Sequence, residues 1–329
     1  LIPEDAALAP LPSGMRRWSN LGPEERRIFA RTMEVYSGML EAMDQAIGRL
    51  VDHIAERGEI QRTVFVITSD NGPEPSDPVH AQGMNFWMRL NGYHWDVNRL
   101  GEEGSLAFIG PEWAASISSP HSLYKFYASE GGLKAPLIVS GPSILPGRRS
   151  RALTHVTDIT PTLLELAQAP LHTKMGNVEI AGRSLASILR DGAAGVRGPD
   201  DVIGMEVSGN AALFQGAYKI ARNMPPVGDG RWRLYNVEAD PGETLDLAQT
   251  DPQRLSAMIA AYEAYAAENG VLDLPPGYQV ERQVLHNGLS RQLTYNAPSL
   301  VVLALGALSL VAFAWVRRAR RRKKPSANA

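Results

Sequence analysis

Eight apolar residues, Phe29, Met33, Tyr36, Leu40, Met43, Ile47, Leu50 and Ile54, recur at alternating spacings of four and three. A stripe of that period is one face of a long helix. Pro23 suits its first turn, Glu24 and Glu25 complement the positive end of its dipole, and Gly58 suits its C-terminal cap. The run Thr63-Val64-Phe65-Val66-Ile67-Thr68 follows almost at once. It is short, rich in β-branched residues and without polar alternation, which predicts a buried strand of the central parallel kind. A long amphipathic helix feeding a buried strand restricts the chain to α/β layer architectures.

Residues 1–19, punctuated by Pro3, Pro10, Pro12 and Gly14, read as a loop. About 50 residues of weak periodicity follow Asp70, long enough to predict a functional insert. Pro136–Ser140 reads as a second buried strand and Asp158–Gln168 as a helix. From residue 200 the texture changes to short alternating runs, Val202–Val207, Ala211–Phe214, Tyr218–Ala221 and Trp232–Val237. These predict a small antiparallel sheet, followed by a helix over Pro252–Glu268.

Residues 298–316 carry no charge and are followed by seven cations within the last thirteen positions. That pattern predicts a transmembrane helix over 298–316 with a basic cytoplasmic tail at 317–329. The whole chain has a net charge of -2, and without those seven cations it carries -9. An acidic body disfavours a nucleic-acid partner, and the tail places the body in the periplasm or outside the cell. The absence of cysteine excludes a disulfide framework, a thiolate metal site and a cysteine nucleophile. The chain begins with Leu1, and no signal-peptide pattern precedes the first element, so it is expected to start within a longer protein.

Chemistry concentrates first at Ser69-Asp70-Asn71-Gly72, directly after the first strand. In open α/β sheets ligands bind beyond the carboxyl ends of strands. A carboxylate and an amide carbonyl side by side are hard oxygen donors, suited to Ca²⁺ or Mg²⁺, although Asp-Asn-Gly is also an ordinary turn.

Ser69-Asp70-Asn71-Gly72 after an apolar strand resembles the second metal-ligand motif of the sulfatase family, whose fold is that of alkaline phosphatase. Met33-Glu34-Val35-Tyr36 and Met43-Asp44-Gln45-Ala46-Ile47-Gly48 resemble the family's preceding helix. Tyr124-Lys125 and Glu130-Gly131-Gly132-Leu133-Lys134-Ala135-Pro136 resemble a downstream segment, and Asp158-Ile159-Thr160-Pro161-Thr162 the helix after it. Gly182-Arg183-Ser184-Leu185, Leu234-Tyr235-Asn236 and Asp240-Pro241-Gly242-Glu243 resemble the C-terminal subdomain. Gly110-Pro111-Glu112-Trp113-Ala114, within the long insert, resembles the bacterial arylsulfatase and alkylsulfatase branch.

The resemblance implies an alkaline-phosphatase-like sandwich: residues 1–170 as the C-terminal part of the catalytic α/β domain, then an α+β subdomain at 171–290. With the predicted span at 298–316, it implies a membrane-anchored sulfuric ester hydrolase of arylsulfatase type acting on small sulfate esters. Asp70 and Asn71 would bind one Ca²⁺, with Mg²⁺ the lesser candidate. Lys125 would contact the sulfate as a catalytic lysine, and His121, four residues earlier, could touch substrate. Lys134 and Glu130 are set aside as structural, and His53, His80, His94 and His155 carry no assigned role. The family's nucleophile, a formylglycine made within Cys/Ser-x-Pro-x-Arg, has no counterpart in these residues. The nucleophile and the remaining metal ligands are therefore expected upstream, and the fragment alone is expected to be inactive and poorly soluble. The alternatives are a phosphodiesterase or phosphonate hydrolase on the same scaffold, or a non-catalytic membrane-tethered relative.

Overall fold

The computed structural model describes residues 15–77, 84–170, 174–175 and 178–322. Helix α1 runs Pro23–Glu56. Pro23 occupies its first turn, and the backbone amide of Gly22 donates to the Glu25 carboxylate at 2.8 Å, half of a capping box. Gly58 takes a positive φ of 72° just beyond its end. Thr32 is the one residue of α1 that is buried, and Leu40, Met43 and Leu50 of its apolar stripe are 45% to 54% exposed.

Strand β1 (Phe65–Thr68) follows, then the insert with helices α2 (Met84–Leu90) and α3 (Gly110–Ser118). A single turn, α4 (Glu130–Leu133), leads to strand β2 (Leu137–Ser140). β1 and β2 pair with each other antiparallel, Phe65 opposite Ser140 and Thr68 opposite Leu137, as a two-stranded sheet. The expectation of a buried, central parallel strand is therefore corrected. An apolar run does not encode strand direction, and with β2 as sole partner among the described residues, Ile67 and its opposite number Ile138 are 38% and 56% exposed.

Helix α5 (Ile159–Leu166), the two-residue strands β3 (Lys174–Met175) and β4 (Val178–Glu179) and helix α6 (Ala186–Asp191) lead to the best-packed part of the molecule. Strands β5 (Val202–Val207), β6 (Asn210–Gln215), β7 (Tyr218–Arg222) and β8 (Arg233–Asn236) form an antiparallel meander in chain order, at the four runs that alternate in the sequence. Successive side chains of β6 point to opposite faces. Ala211 and Leu213, with Ile220 and Leu234, pack on Met258 and Tyr262 of helix α7 (Pro252–Asn269). Ala212 and Phe214, with Ile203, pack on Ala128 and Leu133. Both faces of this small sheet are thus covered, one by a helix and the other by the segment before α4.

The described residues divide into two compact units, with the boundary between Asp273 and Leu274. The second contains helix α8, which runs Val280–Arg322 with Pro298 inside it. Among the described residues, no helix is long and apolar enough to cross a membrane. The transmembrane helix, the membrane anchor and the periplasmic or extracellular placement that depended on it are therefore withdrawn. Tail residues 323–329 lie outside the described residues.

Candidate active site

The turn after β1 is fastened to the segment before β2 by main-chain bonds. The Gly72 amide donates to the Gly132 carbonyl at 3.1 Å, and the Lys125 amide donates to the Pro73 carbonyl at 3.1 Å. Such close backbone approach demands glycine. A Cβ on Gly72 would lie 1.8 Å from the Gly131 oxygen, and one on Gly131 would lie 2.2 Å from the Leu123 oxygen. The Asp70-Asn71 pair and Lys125, 54 residues apart in the chain, are thereby brought to one place. Asp70 is exposed and Asn71 half-buried.

Lys125 points its ammonium at Glu74, Nζ to Oε2 at 2.6 Å, and lies 5.3 Å from the Phe126 ring centroid. Burial pushes the Glu74 carboxyl up, but the Lys125 ammonium and two bonds from Ser76 outweigh it and hold the group below the usual carboxylate value. The sequence analysis did not single out Glu74. The available signal was an acid four residues beyond Asp70 in the same turn.

His121 sits apart from that pair in its bonding: its Nδ1 lies 3.0 Å from the Pro241 carbonyl oxygen. A carbonyl accepts only, so Nδ1 carries the proton and Nε2 of the neutral ring keeps its lone pair. Burial pushes the imidazole pKa down. The neighbouring Ser122 hydroxyl donates to Glu243, whose Oε2 also accepts the Glu130 amide at 3.0 Å. Lys219, fully buried, donates to Glu130 at 3.0 Å and to Glu243 at 2.9 Å. Burial opposes the charge on Lys219, but the two carboxylates raise its pKa nonetheless. Glu130 is held down despite its burial, chiefly by Lys219. Lys134 reaches the same carboxylate at 3.6 Å.

Lys219 carried no signal in the sequence, because its partner Glu130 lies 89 positions away. A second buried pair, Asp158 with Arg197 at 2.7 Å, joins α5 to the segment before β5, and Asp158 also accepts the Arg183 amide at 2.8 Å. His155 caps the turn before α5 through Thr157, His53 is exposed on α1, and both ring nitrogens of His94 are buried without a partner among the described residues. His80 lies outside the described residues.

Among the described residues, no hydrogen bond engages the side-chain oxygens of Asp70 or Asn71. Their chemistry fits a hard cation, but two donors are a third or less of the six to eight such an ion takes. No group of three His, Cys, Asp or Glu among the described residues could hold a metal. Glu74, the nearest further acid in the turn, is committed to Lys125.

A sequence profile described as Sulfatase matches residues 6–169. The chain is 34% identical over 288 residues to an uncharacterized sulfatase of Schizosaccharomyces pombe, covering 85% of this chain and 52% of that protein. It is 30% identical over 155 residues to an arylsulfatase of Klebsiella aerogenes, covering 46% of this chain and 33% of that one. A solved structure described under the metabolism of multiple glycosaminoglycans by Bacteroides thetaiotaomicron superposes with a TM-score of 0.48 at 20% identity, over 68% of this chain and 43% of the other. The chain spans about half the length, or less, of these relatives.

Proposed function

We propose that this chain, which the Sulfatase profile matches over residues 6–169, is part of a sulfuric ester hydrolase of arylsulfatase type. The observation that carries this reading is the fastening of the Asp70-Asn71 turn to Lys125 through the Gly72–Gly132 and Lys125–Pro73 bonds. It sets hard oxygen donors beside a cation, the combination that a sulfate group and its counterion need.

In this reading Asp70 and Asn71 hold one Ca²⁺ together with ligands from outside these 329 residues. When bound, that ion neutralises sulfate oxygens as charge builds in the transition state. Lys125 places its ammonium against the sulfate oxygens and the leaving oxygen, stabilising the departing anion. Glu74 keeps the ammonium oriented until substrate replaces the carboxylate. With its pKa lowered by burial, His121 keeps a free Nε2 that can accept a hydrogen bond from a substrate hydroxyl. The nucleophile, a formylglycine, comes from outside these residues, and the chain alone does not turn over substrate.

The test is made in the complete protein, with calorimetric Ca²⁺ titration and hydrolysis of an aryl sulfate. Asp70→Ala is expected to lose both the ion and the activity. Lys125→Ala is expected to lower turnover with Ca²⁺ still bound. A requirement for two transition-metal ions, together with cleavage of phosphodiesters in preference to sulfate esters, would overturn the proposal in favour of phosphatase-type chemistry.

A further inference from the structure

Lys125 sits between two residues with left-handed backbones, Leu123 at φ 58° and Phe126 at φ 83°. Such conformations persist in non-glycine residues only where their surroundings hold them. Leu123 is held by the Ser118 hydroxyl of α3, which donates to its carbonyl at 2.8 Å, and at Phe126 the restraint comes from the four-stranded sheet. The side-chain amide of Asn210, at the start of β6, donates to the Phe126 carbonyl at 2.7 Å, and its oxygen accepts the Met224 amide at 2.7 Å. Asn223, just past β7, accepts the Ala128 amide at 2.8 Å and donates to the Ser129 hydroxyl at 3.0 Å. Both amides use donor and acceptor at once, and Asn210 is 6% exposed.

We propose that Asn210 and Asn223 are positioning residues for Lys125, holding the strained segment 126–129 so that the lysine faces the Asp70-Asn71 turn. The inference rests on the role given to Lys125 above. It extends the functional site to a pair of amides more than 80 residues away in the chain, neither of which touches substrate.

The isosteric change to aspartate separates the two positions. At Asn223 a carboxylate can still accept from Ala128 and from the Ser129 hydroxyl. At Asn210 it would turn an acceptor toward the Phe126 carbonyl and break the bond.

The experiment uses the complete protein and reads two quantities. One is the acetylation rate of Lys125 relative to the exposed Lys134, by mass spectrometry. The other is kcat/KM in the parent and in a Lys125→Ala background. Asn210→Asp and Asn223→Ala are expected to raise Lys125 labelling about threefold or more and to lower kcat/KM about tenfold. Neither is expected to cause further loss once Lys125 is alanine. Asn223→Asp is expected to stay within about twofold of the parent in both.

Unchanged Lys125 labelling in Asn210→Asp and Asn223→Ala, or an equal proportional loss in the Lys125→Ala background, would overturn the inference. If Asn210→Asp does not fold, the contrast between Asn223→Ala and Asn223→Asp decides. Full activity of Lys125→Ala alone would sink the lysine's proposed role, and the labelling comparison would still judge the restraint itself.

Discussion

The Lys125 ammonium lies 2.6 Å from the carboxylate of Glu74, a residue of the same turn that presents Asp70 and Asn71. An anionic substrate approaching Lys125 must therefore displace a carboxylate. Glu74→Gln removes that competitor. Inorganic sulfate is expected to inhibit the complete enzyme severalfold more tightly in this variant, measured by steady-state inhibition. The melting temperature should change little, because a partly exposed pair of this kind contributes roughly 0.2 to 1 kcal/mol. Unchanged or weaker sulfate inhibition would refute the competition.

Lys219 is the sole cation bonded to two buried carboxylates among the described residues, Glu130 and Glu243. Lys219→Met leaves Glu243 without a cation among the described residues and Glu130 with only Lys134 at 3.6 Å, and removing one partner of a buried ion pair costs about 3 to 5 kcal/mol. Urea denaturation should show a loss of unfolding free energy of that size, with Lys219→Arg losing less. A Lys219→Met protein as stable as the parent would show that the two acids are not held as charges.

Asp158 gives a pH dependence whose sign follows from its shift. Burial raises its pKa, but the Arg197 guanidinium and the Arg183 and His155 amides outweigh that and hold it below 3.8. A carboxyl depressed in the folded state adds stability that is fully present above the unfolded value and is lost as pH falls through the folded one. Thermal melts from pH 7 to pH 2 should decline more steeply at the acid end for the parent than for Asp158→Asn. Asp158→Asn should already be less stable at pH 7. Parallel curves would remove Asp158 from the acid transition.

Gly72 tests the backbone contact that joins the two halves of the site. A methyl group there would overlap the Gly131 carbonyl, so Gly72→Ala must part the segments. Overpacking of this kind costs about 1 to 3 kcal/mol, and activity should fall more than stability does. Gly38→Ala, where a Cβ meets nothing within 4 Å, is the control and should match or exceed the parent in stability. Equal behaviour of the two variants would contradict the contact.

The elements that were legible in the sequence are those whose signal is local. The Phe29 to Ile54 stripe became α1, and the alternating runs from Val202 onward became β5 to β8. The Asp70-Asn71 turn was found because a carboxylate and an amide follow a β-branched run directly. Strand direction was not legible, because Thr63–Thr68 has the same composition whether its neighbour runs parallel or antiparallel. The uncharged stretch 298–316 with its basic flank predicts a membrane span, yet among the described residues no helix is long and apolar enough to cross a membrane. Glu74, Lys219, Asn210 and Asn223 stayed hidden for another reason. Each gains its meaning from one hydrogen bond to a residue 51 to 95 positions away, and no periodicity records such a bond.

The small sheet covered on both faces has a consequence for how this protein fails. Its β6 strand shares one set of backbone bonds between the α7 face and the face that grips Ala128. Fraying of α7 therefore slackens the lysine segment across the thickness of a single strand. Inactivation of the complete protein on mild heating should precede bulk aggregation and begin at α7, so that the durability of the site is set by a layer that never meets the substrate.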